Sequence, residues 1–242
     1  MNLLVDIGNT LCKWVLTKDN KIVDRGFTVI FNECFIASLQ AKGKAFDTVV
    51  MCSVRKLSEH LEEYLAANFN YRCVRHDLPL PVKIQYEQPE TLGMDRVLAA
   101  VGAITLFPNV PLLVIDAGTA ITIDFVSADA EFLGGNIAPG IRLRFKSLHD
   151  YTDKLPLVSA ERDFESIGRN TESAIRAGVQ QGVANELESY IIKAELQCPN
   201  LQVVLTGGDA VLLSEIIDKK LIIQKDLIFI GLQEVANSLR WY

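Results

Sequence analysis

Short apolar runs alternate along the chain with stretches in which apolar residues recur every fourth position. Short runs with β-branched residues are typical of buried strands, and a four-residue repeat is typical of a helix with one buried face. In the first half these patterns predict three strands, a helix, a strand, a helix and a strand. The predicted positions are 1–5, 11–16, 21–27, 31–41, 46–52, a helix carrying Leu57, Leu61 and Leu65, and 71–74.

The second half repeats this order. The predicted segments are strands at 110–115, 120–126 and 131–137, helices at 141–148 and around 175–191, a strand at 201–205, a helix after residue 209, a strand at 227–230 and a helix at 232–239. Between the halves, Pro79, Pro81 and Pro89 mark a long connection, and residues 97–103 are helical in composition. We therefore expect one domain over residues 1–109 and a second over residues 110–242.

Two strand ends carry the same sequence pattern. The first strand ends in Asp6-Ile7-Gly8-Asn9-Thr10, and a strand 110 residues later (116 − 6 = 110) ends in Asp116-Ala117-Gly118-Thr119-Ala120. Asp and Gly are also common at strand ends simply because turns need them. A buried carboxylate, however, is costly unless its charge is balanced. Because the pattern occurs twice, we favour a duplicated fold with a nucleotide between its halves.

The first of these turns has the groups that a phosphorylated ligand and its metal require. Mg²⁺ is commonly held by one or two carboxylates together with phosphate oxygens, so Asp6 is a predicted Mg²⁺ contact through bound phosphate. Gly8 lets the backbone approach a ligand closely. Asn9 and Thr10 add hydrogen-bonding side chains, and Lys13 adds a positive charge.

Composition narrows the classes of function. With 242 residues, 49% of them hydrophobic, the chain can bury a large core in one or two domains. The net charge of −6 argues against nucleic acid as the main partner. The basic cluster Arg142, Arg144 and Lys146 is interpreted as a solvated helix face or a small anion contact. The sequence has neither a signal peptide nor an apolar segment long enough for a bilayer, so we expect a cytoplasmic protein that does not enter a membrane.

The cysteines and histidines argue against a disulfide framework or a zinc site. The five cysteines are scattered without a C-x-x-C pair, and we interpret them as buried free thiols in a reducing compartment. The three histidines are separated from one another along the chain, which does not fit a zinc site or a histidine nucleophile.

Six segments resemble, in order, the motifs of the type III pantothenate kinase family within the actin, hexokinase and Hsp70 superfamily. They are Asp6-x-Gly8-Asn9-Thr10-x-x-Lys13, Gly93-x-Asp95-Arg96, Asp116 to Ala120, Gly134-Gly135-x-Ile137-x-Pro139-Gly140, Gly168-x-Asn170-Thr171 and Thr206-Gly207-Gly208-Asp209-Ala210. Each match is weak alone, but six in order over nearly the whole chain are specific. The Walker P-loop pattern, by contrast, is absent from the sequence.

The resemblance implies an α/β fold of two duplicated ribonuclease-H-like lobes, the actin-like ATPase fold, with a nucleotide cleft between them. It implies that ATP phosphorylates pantothenate at its primary hydroxyl, the first step of coenzyme A synthesis. It further implies Mg²⁺, a monovalent cation (K⁺ or NH₄⁺) and a homodimer.

The resemblance also implies a role for individual residues, with Asp95 as the catalytic base. The residues implied on the ATP side are Asp6, Gly8, Asn9, Thr10, Lys13, Thr119, Gly207 and Gly208, with Asp116 at the monovalent cation. The residues implied on the pantothenate side are Tyr86, Gly93, Met94, Asp95, Arg96 and Thr171.

Some of these residues also have simpler explanations. Asp95 lies where an acidic side chain stabilises a helix N-terminus. Arg96 could pair with Asp95 rather than bind substrate, and Asn170 or Thr171 could simply cap the long helix.

Two other functions stay open at this point. The same fold could phosphorylate a sugar or a carboxylate, or the chain could be a non-catalytic regulatory accessory protein. The retention of Asp6, Asp95 and Asp116 argues against the second, because a protein that only binds has no need of three costly carboxylates.

Overall fold

The computed structural model describes residues 1–240, which form two compact units. The first unit contains Met1–Pro108, Ala130–Phe132 and the segment from Asp226 onward. The second contains Asn109–Asp129 and Leu133–Lys225. Each unit contains a β-sheet that packs against helices.

The sheet of the first unit is mixed. Its strands are β1 (Asn2–Ile7), β2 (Cys12–Lys18), β3 (Lys21–Thr28), β4 (Thr48–Ser53) and β5 (Asn70–Cys73). Their order is β3-β2-β1-β4-β5. The first three form the predicted antiparallel meander, and β4 and β5 run parallel to β1. Asp19 and Asn20 have φ of 51° and 60°, the left-handed conformation that a tight hairpin turn requires.

The two faces of this sheet have different partners. Helices α1 (Glu33–Ala41) and α2 (Glu59–Asn68) share an apolar core with alternate residues of β1, namely Leu3, Val5 and Ile7. Because side chains alternate across a strand, Asp6 projects from the opposite face. Two further helices pack on the other face: the C-terminal helix at Leu227–Ser238 packs on β1 and β4, and α3 (Met94–Leu106) packs on β4.

The crossing of α3 with the C-terminal helix depends on two glycines. A Cβ on Gly102 would overlap the carbonyl oxygen of Leu227, and a Cβ on Gly231 would overlap the carbonyl oxygen of Leu98. The predicted strand at 227–230 is therefore wrong, since these residues begin the helix Leu227–Ser238. Periodicity cannot separate a short apolar run in a strand from one in a helix that is buried on most sides.

The second unit repeats the arrangement of the first. Its strands are β7 (Leu112–Ala117), β8 (Ala120–Val126), β9 (Glu131–Pro139), β10 (Gln202–Thr206) and β11 (Ile222–Ile223). The first residues of β9 belong to the first unit, where they pair with the short strand β6 (Lys83–Ile84). If β7 to β11 are matched in sequence to β1 to β5, the order β11-β10-β7-β8-β9 is the order of the first sheet read in reverse. The first strand of each set, β1 or β7, is then the central one of the five. This repetition confirms the predicted duplicated α/β fold.

The helices of the second unit are α4 (Ile141–Asp150), α5 (Thr171–Gln197) and α6 (Ala210–Ile216), and the C-terminal helix of the first unit is therefore α7. The apolar stripe of α5 forms much of the unit's core, as predicted. On α4, Arg144 pairs with Glu186 at 2.6 Å and Lys146 with Asp150 at 2.7 Å. These ion pairs agree with a solvated helix face.

All five cysteines are free thiols, as predicted, but only Cys12 and Cys52 are buried. Cys34 is exposed, so the prediction of buried thiols is wrong for it. Within residues 1–240, none of the helices combines the length and the apolar character that a bilayer crossing requires.

Candidate active site

Asp6 lies at the end of β1, in the middle of the first sheet, with only 6% of its surface exposed. Its cross-strand partners are Lys13 on β2 and Cys52 on β4. Residues directly opposite each other on adjacent strands project from the same face of a sheet. The Cys52 thiol donates a hydrogen bond to Asp6 Oδ1 at 3.5 Å. The carboxylate, the amine and the thiol are therefore one group on the face against which α3 packs.

The electrostatics of Asp6 are those of a buried carboxylate near a second acid. The pKa of Asp6 is raised to about 6, chiefly by burial and to a smaller extent by the negative charge of Asp95, whereas the Lys13 charge and the Cys52 hydrogen bond oppose the rise. A pKa effect of one carboxyl on another requires that the two lie near each other. Asp6 and Asp95, separated by 89 residues in the sequence (95 − 6 = 89), therefore lie near each other in the fold.

Asp95 lies in the first turn of α3, as predicted. The helix begins after Gly93, and Asp95 Oδ1 accepts a hydrogen bond from the backbone N–H of Arg96 at 2.9 Å. A Cβ on Gly93 would overlap Asp95 Oδ1. The Gly-x-Asp pattern thus has a local cause, because only glycine leaves room for this carboxylate orientation.

Arg96 is almost fully buried, with 5% exposed. Its guanidinium carbon lies 5.8 Å from the Tyr86 ring centre and 5.6 Å from that of Phe132, and these two rings meet edge to face at 6.3 Å. Both distances are within the range of cation–π contacts. The structure thus brings together Tyr86 and Arg96, two residues predicted to contact pantothenate.

The turn after β1 is open toward solvent. The Gly8 N–H donates to the Leu11 carbonyl at 3.1 Å and closes the turn, while Asn9, Thr10 and Lys13 are exposed. A Cβ on Gly8 would lie 3.2 Å from the Leu11 oxygen, a tight contact. This geometry places three exposed polar side chains at or just after the end of β1.

In the second unit, glycine turns surround Asp116. A Cβ on Gly118 would lie 3.3 Å from Asp116 Oδ1, and one on Gly207 would lie 2.5 Å from it. Gly207 has φ of +98°, a conformation that favours glycine. A Cβ on Gly140 would overlap the carbonyl oxygens of Gly118 and Thr119. Three of the predicted motifs therefore meet at the half-buried Asp116.

Two further residues flank this turn. Gly208 has open space around it, since a Cβ there would meet no atom within 4 Å. The Asp209 N–H donates to the Ala117 carbonyl at 3.0 Å. Burial raises the pKa of the Asp209 carboxyl, and the Arg142 charge opposes that rise. Gly207 thus lies beside Asp116, and Gly208 follows it in the chain; the resemblance implies that both contact the nucleotide.

Thr171 is not part of these contacts. It is the exposed first residue of α5, and the helix begins at a capping box in which Asn170 accepts from the Ser173 N–H at 2.9 Å. Of the two predicted capping residues, Asn170 is the N-cap. A capping function accounts for Asn170, but it leaves the Thr171 hydroxyl without an assigned structural role.

The side chains near Asp6 are compatible with a metal ion that is coordinated mainly by the phosphates of a bound ligand. Within residues 1–240 no cluster of three or more His, Cys, Asp or Glu side chains could form a protein cage for a metal. Mg²⁺ keeps few protein ligands when it is bound with phosphates, so a single buried carboxylate beside a polar turn is compatible with it. Asp6 is the residue that would face such an ion.

Sequence reasoning missed Cys52 and Phe132. Cys52 was visible as a residue at the end of an apolar strand, but its contact with Asp6 depends on the parallel register of β1 with β4. Phe132 was one apolar residue in a predicted strand, and its contact with Arg96 joins segments 36 residues apart (132 − 96 = 36). Neither residue belongs to a local motif.

Comparison with known proteins gives concordant results. The family model of type III pantothenate kinase matches residues 2–193. A type III pantothenate kinase of Porphyromonas gingivalis is 40% identical over 245 aligned positions that cover 98% of each chain.

Two solved structures share the fold. A Campylobacter jejuni protein assigned to the Baf family of transcriptional activators is 25% identical over 98% of each chain, with a TM-score of 0.63. A Sinorhizobium meliloti protein assigned as a 2-dehydro-3-deoxygalactonokinase is 10% identical over 99% of each chain, with a TM-score of 0.67. The latter similarity concerns the fold alone, and it agrees with the expected actin-like ATPase architecture.

Proposed function

Because the chain belongs to the type III pantothenate kinase family, we propose that it transfers the terminal phosphoryl group of ATP to the primary hydroxyl of pantothenate with Asp95 as the catalytic base. The observation that supports the proposal is the influence of Asp95 on the pKa of Asp6, because it brings two carboxylates of the family motifs within electrostatic reach of each other. The product is 4′-phosphopantothenate, so the reaction is the first step of coenzyme A synthesis.

The role of Asp95 follows from the chemistry of phosphoryl transfer. A carboxylate is too weak a base to ionise an alcohol in advance. In a loose transition state, however, the attacking oxygen needs little activation, so Asp95 orients the hydroxyl and accepts its proton late in the step. The hydrogen bond from the Arg96 N–H to Oδ1 fixes the carboxylate for this purpose.

The phosphates of ATP are assigned to the turn after β1. Gly8 has no side chain, so the phosphates can approach the backbone closely. Asn9 and Thr10 donate hydrogen bonds, and Lys13 supplies a positive charge. Asp6 faces the Mg²⁺ that accompanies the phosphates. An ion held there would supply positive charge to the phosphates.

The remaining nucleotide contacts are assigned to the turn after β7, which contains Asp116, and to the glycine turn after β10. Thr119, Gly207 and Gly208 line the nucleotide, and Asp116 holds a monovalent cation, K⁺ or NH₄⁺. The support is the position of the half-buried Asp116 carboxylate at the end of β7, where the backbones of Gly118 and Gly207 approach it closely.

The acceptor is assigned to the start of α3 and the rings beside it. Tyr86, Gly93, Met94, Asp95, Arg96 and Thr171 form the proposed pantothenate set. Burial of Arg96 against two rings supports this assignment, because a desolvated guanidinium binds a carboxylate more strongly than an exposed one does.

We also propose that the enzyme acts in the cytoplasm as a homodimer, without nucleic acid or membrane as a partner. The net charge of −6 supports the exclusion of nucleic acid. The homodimer follows from the family resemblance.

Replacement Asp95→Asn tests the proposal. The carboxamide keeps the size of the side chain and removes the base, so we expect kcat to fall about 10²- to 10⁴-fold. The readout is ATP-dependent formation of phosphopantothenate, with circular dichroism and the melting temperature as controls for folding. A variant that folds and retains the wild-type rate would remove Asp95 as the base.

The likeness to a Baf family activator supports a second candidate, a regulatory protein without turnover. A different acceptor, a sugar or a carboxylate, is the other alternative that the sequence leaves open. A panel of pantothenate, sugars and short carboxylic acids, each offered with ATP, separates the three possibilities. Turnover with pantothenate alone supports the proposal, turnover with another acceptor replaces it, and no turnover with any acceptor favours the regulatory protein.

A further inference from the structure

We propose that Phe132 is a positioning residue for the acceptor side, where it holds the Arg96 guanidinium and the Tyr86 ring in place. This inference rests on the proposed function, which assigns Tyr86 and Arg96 to pantothenate. Phe132 lies outside all six sequence motifs, and it is not itself proposed to touch the acceptor.

Phe132 has the burial of a structural residue and the contacts of a site residue. Its side chain is fully buried, with 0% exposed, and it is among the largest side chains with so little exposure. Its ring centre lies 5.6 Å from the Arg96 guanidinium carbon and 6.3 Å from the Tyr86 ring, edge to face. Arg96 therefore contacts both aromatic rings at nearly equal distances.

Backbone pairing fixes Phe132 relative to Tyr86. The short strand β6 pairs in parallel with the first two residues of β9, Glu131 and Phe132. The Gln85 N–H donates to the Phe132 carbonyl at 2.9 Å, one residue before Tyr86. Through this pairing, residues 130–132 belong to the first unit although the rest of β9 belongs to the second.

Side chains strengthen the same pairing. Lys83 Nζ lies 2.6 Å from Glu131 Oε1, and Gln85 Nε2 donates to the same oxygen at 3.0 Å. These bonds lower the pKa of the Glu131 carboxyl, so the ion pair persists at neutral pH. The proline-rich connection that carries Tyr86 is thus fixed to the segment that carries Phe132.

Two aromatic rings can hold a guanidinium in place through their faces. Each ring attracts the cation and adds no negative charge beside it, and the two rings together limit the positions that the Arg96 guanidinium can take. A branched aliphatic residue in the place of Phe132 would pack against Arg96 but would lack this attraction.

The replacement Phe132→Leu keeps an apolar side chain and removes the ring. We expect KM for pantothenate to rise about tenfold, within the range of a desolvated cation–π contact, while kcat and KM for ATP stay within twofold. The matched control is Phe145→Leu, which removes a ring of similar burial (2% exposed) from the core of the second unit. The control should lower the melting temperature and leave KM for pantothenate unchanged.

A double replacement separates positioning from general damage. If Phe132 acts through Arg96, Phe132→Leu should add less than twofold to KM for pantothenate in an Arg96→Met background. Should Phe132→Leu fail to fold, Phe132→Met provides the same test with a more adaptable side chain.

Two results overturn the inference. One is a folded Phe132 variant whose KM for pantothenate is unchanged, and the other is an equal rise in KM with and without Arg96. A wild-type protein that does not phosphorylate pantothenate is a different result, because it overturns the proposed function and the inference together.

Discussion

The turns at Asp6 and at Asp116 have the same sequence pattern and the same place in two repeated sheets, but their surroundings differ. Side chains surround Asp6, with Lys13 and Cys52 across the strands and Asp95 within electrostatic reach. At Asp116 the backbones of Gly118 and Gly207 approach the carboxylate so closely that a side chain at either position would crowd it. The pattern therefore specifies the bend of the chain, whereas residues distant in sequence determine the chemistry at each turn.

This difference has an energetic side. Asp6 is buried at 6% exposure near a second carboxyl, so its ionised form destabilises the ligand-free protein. Asp116 is only half-buried. The first turn holds a charge that a bound cation would relieve, and we expect the following experiments to distinguish it from the second.

The largest expected effect is an increase in the free energy of unfolding in the variant Asp6→Asn. The pKa of Asp6 is about 6 in the folded protein and 3.8 in the reference state, a difference of about 2.2. At pH 8 without nucleotide, the replacement should raise the free energy of unfolding by up to ~3 kcal/mol while activity is lost. Asp116→Asn is the matched control, and an equal gain in that variant would contradict the comparison.

The same group gives the wild type a pH dependence. Between pH 3.8 and about 6 the folded state binds more protons at Asp6 than the unfolded state, so its contribution to stability falls as pH rises through that window and then levels off. Chemical denaturation of wild type and Asp6→Asn at several pH values should give curves that converge near pH 4 and separate toward pH 7. Parallel curves would be inconsistent with the raised pKa.

Gly207→Ala tests the backbone character of the second turn. Its φ of +98° and the 2.5 Å distance from a Cβ to Asp116 Oδ1 predict a loss of ~1–3 kcal/mol in stability. Gly208→Ala is the control for stability, because that position has open space and no positive φ. Thermal unfolding of both variants measures the difference, which should be several degrees. Similar melting temperatures would show that this turn tolerates a side chain.

Cation dependence tests the proposed role of Asp116. If its carboxylate holds K⁺, the rate in sodium-only buffer should fall about tenfold and recover with potassium or ammonium. The variant Asp116→Asn should be slow in all three buffers. Equal wild-type rates in sodium and potassium would refute this role and leave the proposed kinase activity standing.

The smallest effect is expected from Cys52. Its thiol donates to Asp6 Oδ1 at 3.5 Å, and Cys52→Ala should raise KM for Mg-ATP about threefold because the carboxylate loses this weak donor. Cys52→Ser should restore most of the affinity, since a hydroxyl also donates. Cys198→Ala, at the end of α5, serves as the control. If serine fails to restore what alanine removes, packing rather than the hydrogen bond accounts for the effect.

Local patterns were sufficient for much of the fold. The strand β8 has the predicted bounds, and Asp19-Asn20 forms the predicted turn, because alternation and turn residues act over a few positions. Residues 227–230 were misassigned, and β11, with two residues, was not predicted. In both cases the structure depends on packing against distant elements rather than on the local sequence.

For the site, sequence placed Asp95 in the first turn of a helix, which is a local property. It could not show that Asp95 influences Asp6, nor that Phe132 contacts Arg96, since these contacts depend on strand register and on helix packing. The roles of Thr119 and Thr171 at the nucleotide and the acceptor stay predictions.

The contact of α3 with α7 limits how the gene for this protein can be divided. Helix α3, which carries Asp95, packs on α7, which follows the second unit in the sequence. The two backbones are so close that Gly102 and Gly231 leave no room for a methyl group. A fragment that stops at residue 109 would expose the apolar side of α3 and invite aggregation. The first unit is therefore complete only after the second unit has been translated. A stop codon just before Asp226 would remove α7 and leave the first unit without one of its helices.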